Sequence, residues 1–348
     1  MLNISAIETF IKQYQFNEKE IEYLNETLTE DYIPLPRSWC ESMLFEDWCL
    51  DSHLDVNDND THSIANDSCA TNLIETLFDH YDNEKTLLAI SNAEHINVQN
   101  VAHKHNRFNN LVIVDHENEI VPYNTTKLLK QFEKGNYNTL FFYCIGTQLS
   151  TGIITRNYFF EKLREEFNKK FPNKNLVIAL DDVQGMYLVP RDYSIFDYVI
   201  NTGHSVVPPI DLGICFYRKD HKEVFSSSQL EMDRELSFYC SRLSEVLKPY
   251  RFGGFQTFRM VMMNVFEKVL DDPKTKLYNR TSNHIFAIRI KDLKFNKPIL
   301  DYMDSCRIHV ENNGSHIGLR FRAQEVMFEP SLILKGLRFL DNVLENYE

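Results

Sequence analysis

Two hydrophobic periods alternate along most of this chain. TNLIETLFDHY (71–81), TTKLLKQFEKG (125–135) and NYFFEKLREEFNKKF (157–171) space their apolar side chains three and four apart, as one face of a helix requires. Between such segments lie short, almost continuous apolar runs: TLLAIS (86–91), NLVIVD (110–115), TLFFYCIG (139–146), LVIALD (176–181), YVINTG (198–203) and LGICFYRK (212–219). Runs of this kind suit strands covered on both faces, so the alternation predicts an α/β fold with a mostly parallel sheet.

Both ends of the chain depart from this rhythm. Residues 1–35 read as helical, and the segment from Ile33 to about Asp60, with two prolines, both tryptophans and the polar run VNDNDTH, reads as an irregular lead-in. After a long helical stretch near 255–271, the order strand HIFAIRI, helix 297–305, RIHVEN, strand GLRFRA and terminal helix predicts a smaller α+β domain. The expected division is 1–60 for the N-terminal helix and lead-in, 61–255 for the large domain, and 256–348 for the interdomain helix and small domain.

Composition narrows the function classes. A chain of 348 residues with 43% hydrophobic content can bury a large core. The formal charge of −13 offers no basic stripe for nucleic acid or an anionic membrane. No run approaches the roughly 20 apolar residues of a spanning helix, and the N-terminus reads as an amphipathic helix and not a signal peptide. Seven cysteines without a CxxC pair suit buried free thiols in a reducing compartment, so a cytoplasmic protein is expected. No metal motif such as HExxH occurs, and no metal ligands are expected.

The candidate chemistry centres on LVIALDDVQGMYLVPRDYSIFDYVINTGHSVVPPIDLGICFYRK (176–219). A strand ends in an acid, Gln follows three residues later, and a second strand ends in Thr-Gly-His before a proline-bearing loop. A carboxylate at a strand's carboxyl end faces the crevice where open α/β sheets bind ligands. The layout resembles the class V aminotransferase and cysteine desulfurase group of fold-type-I pyridoxal-phosphate enzymes. That resemblance implies a large domain with a seven-stranded-type, mostly parallel sheet, a small C-terminal domain, and pyridoxal 5'-phosphate or pyridoxamine 5'-phosphate as cofactor.

It also implies roles for individual residues. Asp181 would keep the pyridine nitrogen protonated, Gln184 would bond the ring's phenolic oxygen, and Thr202 and His204 would meet the phosphate. Upstream, SNAEHINV resembles the family's Glu-His segment, so His95 would stack on the ring. SCATNLIETLF resembles the Gly-Ala-Thr loop opening a helix, with Cys69 in place of glycine and Thr71 as the phosphate-binding hydroxyl. Gln148 in CIGTQLSTGII falls near the family's Asn-bearing loop as a substrate contact. In HIGLRFRA, Arg320 matches the arginine that holds a substrate carboxylate. Thr257 in FGGFQTFRM matches a hydroxyl that reaches the partner subunit's phosphate, which implies a homodimer.

One position departs from the pattern. Where the family carries the lysine that binds the cofactor covalently, this chain has Ser205. A hydroxyl forms no Schiff base and is too weak a base for α-proton removal. Three readings stay open: a transferase or lyase type of protein acting on a small amino acid or amine with non-covalent cofactor and His95, His204 or a tyrosine moving the proton, Ser205 standing in the catalytic position; an inactive pseudoenzyme serving as a binding or partner subunit; and a conventional enzyme carrying an engineered change at Ser205.

Overall fold

The structure is a computed structural model and describes residues 2–52, 62–91, 93–104, 108–112, 125–185, 188, 189, 191–203, 211–231, 233–251, 254–278, 282–312 and 315–346. The chain divides into two compact units, one made of Asn25–Gln148 and Ile154–Glu245, the other of Met1–Leu24, Leu149–Ile153 and Val246–Glu348.

The larger unit is built on a seven-stranded sheet. In chain order its elements are α3 (Arg37–Ser52), β1 (His62–Asp67), α4 (Ala70–Tyr81), β2 (Thr86–Ser91), α5 (Ile96–His103), β3 (Phe108–Val112), α6 (Thr125–Lys134), β4 (Thr139–Ile145), α7 (Asn157–Lys170), β5 (Asn175–Asp181), β6 (Tyr198–Thr202), β7 (Gly213–Arg218), α8 (Ser227–Glu231) and α9 (Asp233–Arg251), whereas α2 (Glu18–Asn25) belongs, but for Asn25, to the smaller unit. The spatial order is β1-β7-β6-β5-β4-β2-β3. β6, β5, β4, β2 and β3 run parallel, and β7 runs against both β6 and β1.

Burial explains why the central strands read as solid apolar runs. β2 is buried throughout, and β4 and β5 are buried at every position but the first. Leu73, Leu77 and Phe78 of α4 and Val98, Val101 and Ala102 of α5 pack with Ile90, Phe141, Tyr143, Ala179 and Ile200. Phe160, Leu163 and Phe167 form the buried stripe of α7. At about 25 cal/mol per Å² this continuous apolar burial is the main force holding the sheet between its helices.

Two local readings change. The segment Arg37–Ser52 is helical and not irregular: the prolines at 34 and 36 precede its first turn, where proline marks a start instead of a break. β1, HSIAND, was not among the expected strands because polar residues interrupt it. It pairs with β7 from His62 opposite Arg218 to Asp67 opposite Gly213.

The smaller unit carries α1 (Ile4–Tyr14), α10 (Gly254–Val265), α11 (Glu267–Leu270), β8 (Thr275–Leu277), β9 (Ile285–Lys291), α12 (Lys297–Ser305), β10 (His309–Asn312), β11 (His316–Arg322), α13 (Ala323–Phe328) and α14 (Pro330–Glu345). Its antiparallel sheet has the order β10-β11-β9-β8. Phe266, Phe286 and Phe321 form an aromatic cluster in its core, and Phe10 of α1 meets Phe258 of α10. None of the described helices is long and apolar enough to cross a membrane.

One close approach sets the geometry at the edge of the large sheet. A Cβ on Gly213 would fall within the backbone of Cys69 and Ala70, so the first turn of α4 rests directly on the start of β7. Gly213 also stands opposite Thr202 and Asp67. Gly213→Ala is therefore expected to push α4 off the sheet and cost about 1–3 kcal/mol, read as a lowered urea midpoint with an unchanged slope.

Candidate active site

The carboxyl ends of β2, β4, β5 and β6, with the end of β1, form one edge of the large sheet. His95, Gln148, Asp181, Gln184, Thr202 and Thr71 all lie on the segments that leave this edge. Asp181 is the last residue of β5, paired with Ile145 on one side and Ile200 on the other. Thr202 ends β6, and Gln148 follows β4; both are buried. Gln184 is half-buried in the turn after β5.

The carboxyl of Asp181 is dry and held from two sides. The Tyr143 hydroxyl donates to Oδ2 at 3.0 Å, and the Val183 amide donates to Oδ1 at 3.2 Å. Burial raises its pKa to about 6, against the Tyr143 and Val183 bonds, which favour the ion, and with the neighbouring Asp182 adding to the rise. Asp181 is thus ionised at neutral pH in surroundings where a nearby cation interacts strongly.

Asp182 faces a different set of partners. Its Oδ1 lies 3.2 Å from Nε of Arg191 and its Oδ2 accepts from Tyr193 at 2.6 Å. Arg191 also donates to the carbonyls of Gly146 and Thr155 and to the Thr147 hydroxyl. Both charged side chains are essentially inaccessible, at 1% and 0%. A Cβ on Gly185 would collide with this carboxylate, so glycine is required where the turn passes it. The pair locks the exit of β5 to the exit of β4.

At the end of β1, Asp67 accepts from the Ser68 amide and hydroxyl and from Asn72, and its other oxygen accepts from Gln229. Burial opposes ionisation of Asp67, but the bonds from Asn72, Gln229 and Ser68 outweigh it and hold the carboxyl below the usual range. Cys69 stands at the N-cap of α4 and supplies no side-chain cap. The first-turn amides of a helix have no partner within the helix, and the Cys69 side chain caps none of them here. Thr71 is half-buried in that turn.

His95 is the N-cap of α5, with Nδ1 accepting from the Asn97 amide at 3.2 Å. Its ring is exposed, yet partial desolvation lowers its pKa, so it is neutral at pH 7 with its other nitrogen free of this cap. Just before it, Glu94 is buried, and burial followed by the charge of Asp181 holds its carboxyl well above the usual range against a bond from the Ile145 amide. Tyr143 and Arg191 carry no sequence signal that marks them as site residues, and Glu94 has only its place before His95 in the Glu-His segment.

Arg320 and Thr257 belong to the smaller unit. Arg320 is on β11 opposite His309 and Ala287, 8% exposed, and its Nε and Nη1 are buried without hydrogen-bond partners. Burial lowers its pKa to about 10, opposed by Glu325, so it remains a cation at neutral pH. Thr257 lies within α10, not on a loop, and its hydroxyl donates to the Gly254 carbonyl at 3.0 Å. His204 and Ser205 lie outside the described residues. Among the described residues no cluster of His, Cys, Asp or Glu forms a metal site.

This topology, with a carboxyl-edge acid and a separate small antiparallel sheet, is the fold of the fold-type-I pyridoxal-phosphate enzymes. The likeness extends over nearly the whole chain. A NifS-like protein from Rickettsia africae superimposes with a TM-score of 0.67 at 11% identity, covering 95% of this chain and 98% of its own. Cystalysin from Treponema denticola, solved with pyridoxal 5'-phosphate, gives 0.65 at 13% identity over 96% and 90%. A PLP-dependent aminotransferase from Streptococcus suis gives 0.65 at 13% identity over 99% and 98%. No protein-family model matches the sequence. No curated protein matches it either.

The locking role of Arg191 is open to a direct check. Arg191→Met leaves Asp182 buried without its cation and is expected to cost about 3–5 kcal/mol in a denaturant titration. Adding Asp182→Asn to that variant removes the stranded charge and restores a measurable part of the loss.

Proposed function

We propose that this chain binds pyridoxal 5'-phosphate or pyridoxamine 5'-phosphate without a covalent anchor and acts on a small amino acid or amine as a transferase or lyase type of protein. The buried carboxyl of Asp181 at the carboxyl edge of the large sheet carries this reading. A scaffold gains nothing from a dry acid there, whereas a protonated ring nitrogen is the partner that such an acid favours.

The residues present fit the group in part. Asp181 would hold the proton on the ring nitrogen, and its oxygens retain lone pairs beyond those that Tyr143 and Val183 use. Thr71, Thr202 and the uncapped first turn of α4 offer neutral donors to a phosphate. Gln184 would meet the phenolic oxygen, His95 would cover a ring face, and Gln148 would contact the substrate. When bound, the ring supplies an electron sink for charge developing on a substrate carbon. Arg320 would orient the substrate carboxylate, since a buried guanidinium with unspent donors is a ready acceptor site for one. Thr257 and a two-fold dimer belong to this reading through resemblance alone.

Without a lysine at position 205, a proton at the substrate carbon must be moved by another group, with His204 and His95 as the nearest candidates by motif. Asp67 runs against tight phosphate binding, because it adds a fixed negative charge at the foot of α4. That charge favours the second reading, a pseudoenzyme serving as a partner subunit.

Adding either cofactor form to the purified protein is expected to shift the ring's absorption band and raise the Tm. No change in either property with both forms would exclude the cofactor reading. Ser205→Lys is expected to condense with bound pyridoxal 5'-phosphate, with loss of water, to an imine that added borohydride reduces to a stable amine seen by mass spectrometry. Its absence despite binding would show that position 205 does not face the ring's aldehyde.

Arg320→Leu is expected to weaken amino-acid binding by about tenfold or more while leaving the cofactor's Kd within about twofold. Equal losses in both would remove Arg320 from the substrate site.

A further inference from the structure

The amino edge of the large sheet, opposite the candidate active site, carries a charged cavity of its own. It encloses about 490 Å³ within the larger unit, lined from the starts of β4 and β5, the last turns of α4 and α7, and the 3-10 helix Lys219–Val224 after β7. That volume is in the range of small-molecule sites. α4 is 12 residues long, about 18 Å at roughly 1.5 Å per residue, and its two ends lie at the two edges, so this cavity is distinct from the candidate active site.

A buried acid anchors it. Asp197, 4% exposed, stands just before β6. Its Oδ2 accepts from the Ile178 amide at 2.8 Å and from Nη2 of Arg164 at 2.9 Å, so that oxygen is spent on the fold. Its Oδ1 is held differently: Nη1 of Arg218 and Nε2 of His221 each stand 3.9 Å away. Asp220 repeats the pattern from the rim, with Oδ1 3.9 Å from the same Nε2 and 3.5 Å from Nε of Arg218. All four separations exceed the roughly 2.7–3.2 Å of an N–H···O bond. Two acids and two basic side chains thus face one another with no hydrogen bond among them.

The other lining groups do not close the gap. The Tyr81 hydroxyl lies 3.3 Å from Nδ1 of His221 and 2.9 Å from the Tyr198 hydroxyl, which leaves Nε2 of His221 for the cavity. Arg164 is spent on Asp197 and on the Leu176 and Ile195 carbonyls, and Lys174 donates to the Asn138 side chain. Arg218 and His221 therefore remain as unspent donors, opposite the unspent oxygens of Asp197 and Asp220. Thr139, Asn168 and Asn175 add hydroxyl and amide groups to the same wall.

A wholly anionic ligand would meet these carboxylates unpaired, and a wholly cationic one would meet the guanidinium. A ligand with one charge of each sign a few atoms apart answers both sets. We propose that this cavity binds a free α-amino acid, its ammonium on Asp197 and Asp220 and its carboxylate on Arg218 and His221. The bidentate donors of a guanidinium suit the carboxylate, and the dry, fixed oxygen of Asp197 suits the ammonium. Because the rest of the wall offers hydroxyl and amide groups, a side chain that hydrogen-bonds is preferred to an apolar one of the same size. The site is independent of ring binding and stands whether or not the cofactor reading holds.

Titration calorimetry of the full chain without cofactor tests this, with L-glutamine as the probe. Glutaminamide, which lacks the carboxylate, and glutaramic acid, which lacks the ammonium, are the comparison ligands. Glutamine is expected to bind with a Kd below about 1 mM, and each comparison ligand at least about tenfold more weakly. Arg218→Met is expected to weaken glutamine by about tenfold or more, and Asp220→Asn, whose carboxyl is 66% exposed and better screened, by about threefold. Both side chains are largely exposed, at 41% and 66%, so the variants should keep the parent's Tm. The same binding should persist in Arg320→Leu, which touches only the substrate contact of the proposed function. No saturable binding, a comparison ligand bound as well as glutamine, or full affinity in Arg218→Met overturns the proposal. Binding lost in Arg320→Leu and kept in Arg218→Met also overturns it, while leaving the proposed substrate site in place.

Discussion

The ion pair between Asp182 and Arg191 is the contact on which the candidate site depends. Charges so completely excluded from water are tolerated only when every donor and acceptor is used, and here Arg191 spends its guanidinium on Asp182, two backbone carbonyls and a threonine hydroxyl. Those carbonyls belong to Gly146 and Thr155, so the pair ties the segment leaving β4 to the turn leaving β5. Asp181 is the residue immediately before this lock. Its carboxyl can stay within reach of Tyr143 and the Val183 amide because the backbone on its far side cannot relax.

Adjacent acids on one strand end thus do opposite jobs. Asp182 turns toward a cation and serves the fold; Asp181 turns toward a tyrosine and an amide and keeps an unpaired charge in a dry place. Successive side chains on a strand point to opposite faces, which lets the two carboxylates separate although they are neighbours in sequence. The face that receives Asp181 also carries Tyr143 and Ile200, against α4 and α5. With Glu94 after β2 and Asp67 at the end of β1, four acids lie along this edge, and among the described residues Asp182 is the one paired with a guanidinium.

Much of this was legible in the sequence, for physical reasons that differ by element. β2, β4 and β5 announce themselves because strands buried on both faces must be apolar at every position. β1 did not, since HSIAND carries polar side chains at a sheet border, and α3 was obscured by the prolines ahead of it. Asp181 was visible because Gln184 and the Thr-Gly-His end of the next strand follow it in order; an acid closing an apolar run is by itself more often structural, as Asp182 is. Tyr143 and Arg191 were not visible as site residues: their meaning comes from contacts 38 and 9 positions away (181 − 143, 191 − 182), which no local period encodes. Arg320 could be named from its motif, but its unspent donors are a property of burial alone.

Ser205 acquires a sharper meaning against this background. Under the proposed reading, serine where the family carries lysine would supply neither the cation nor the nucleophile. Asp67 is stabilised by neutral donors and Asp182 by Arg191, while Asp181 receives the Tyr143 hydroxyl and the Val183 amide and, among the described residues, no cation. In the proposed reading a protonated ring nitrogen would answer that charge without a covalent bond to the chain, so serine at 205 would change how a cofactor is held and not the reason for Asp181 to meet one.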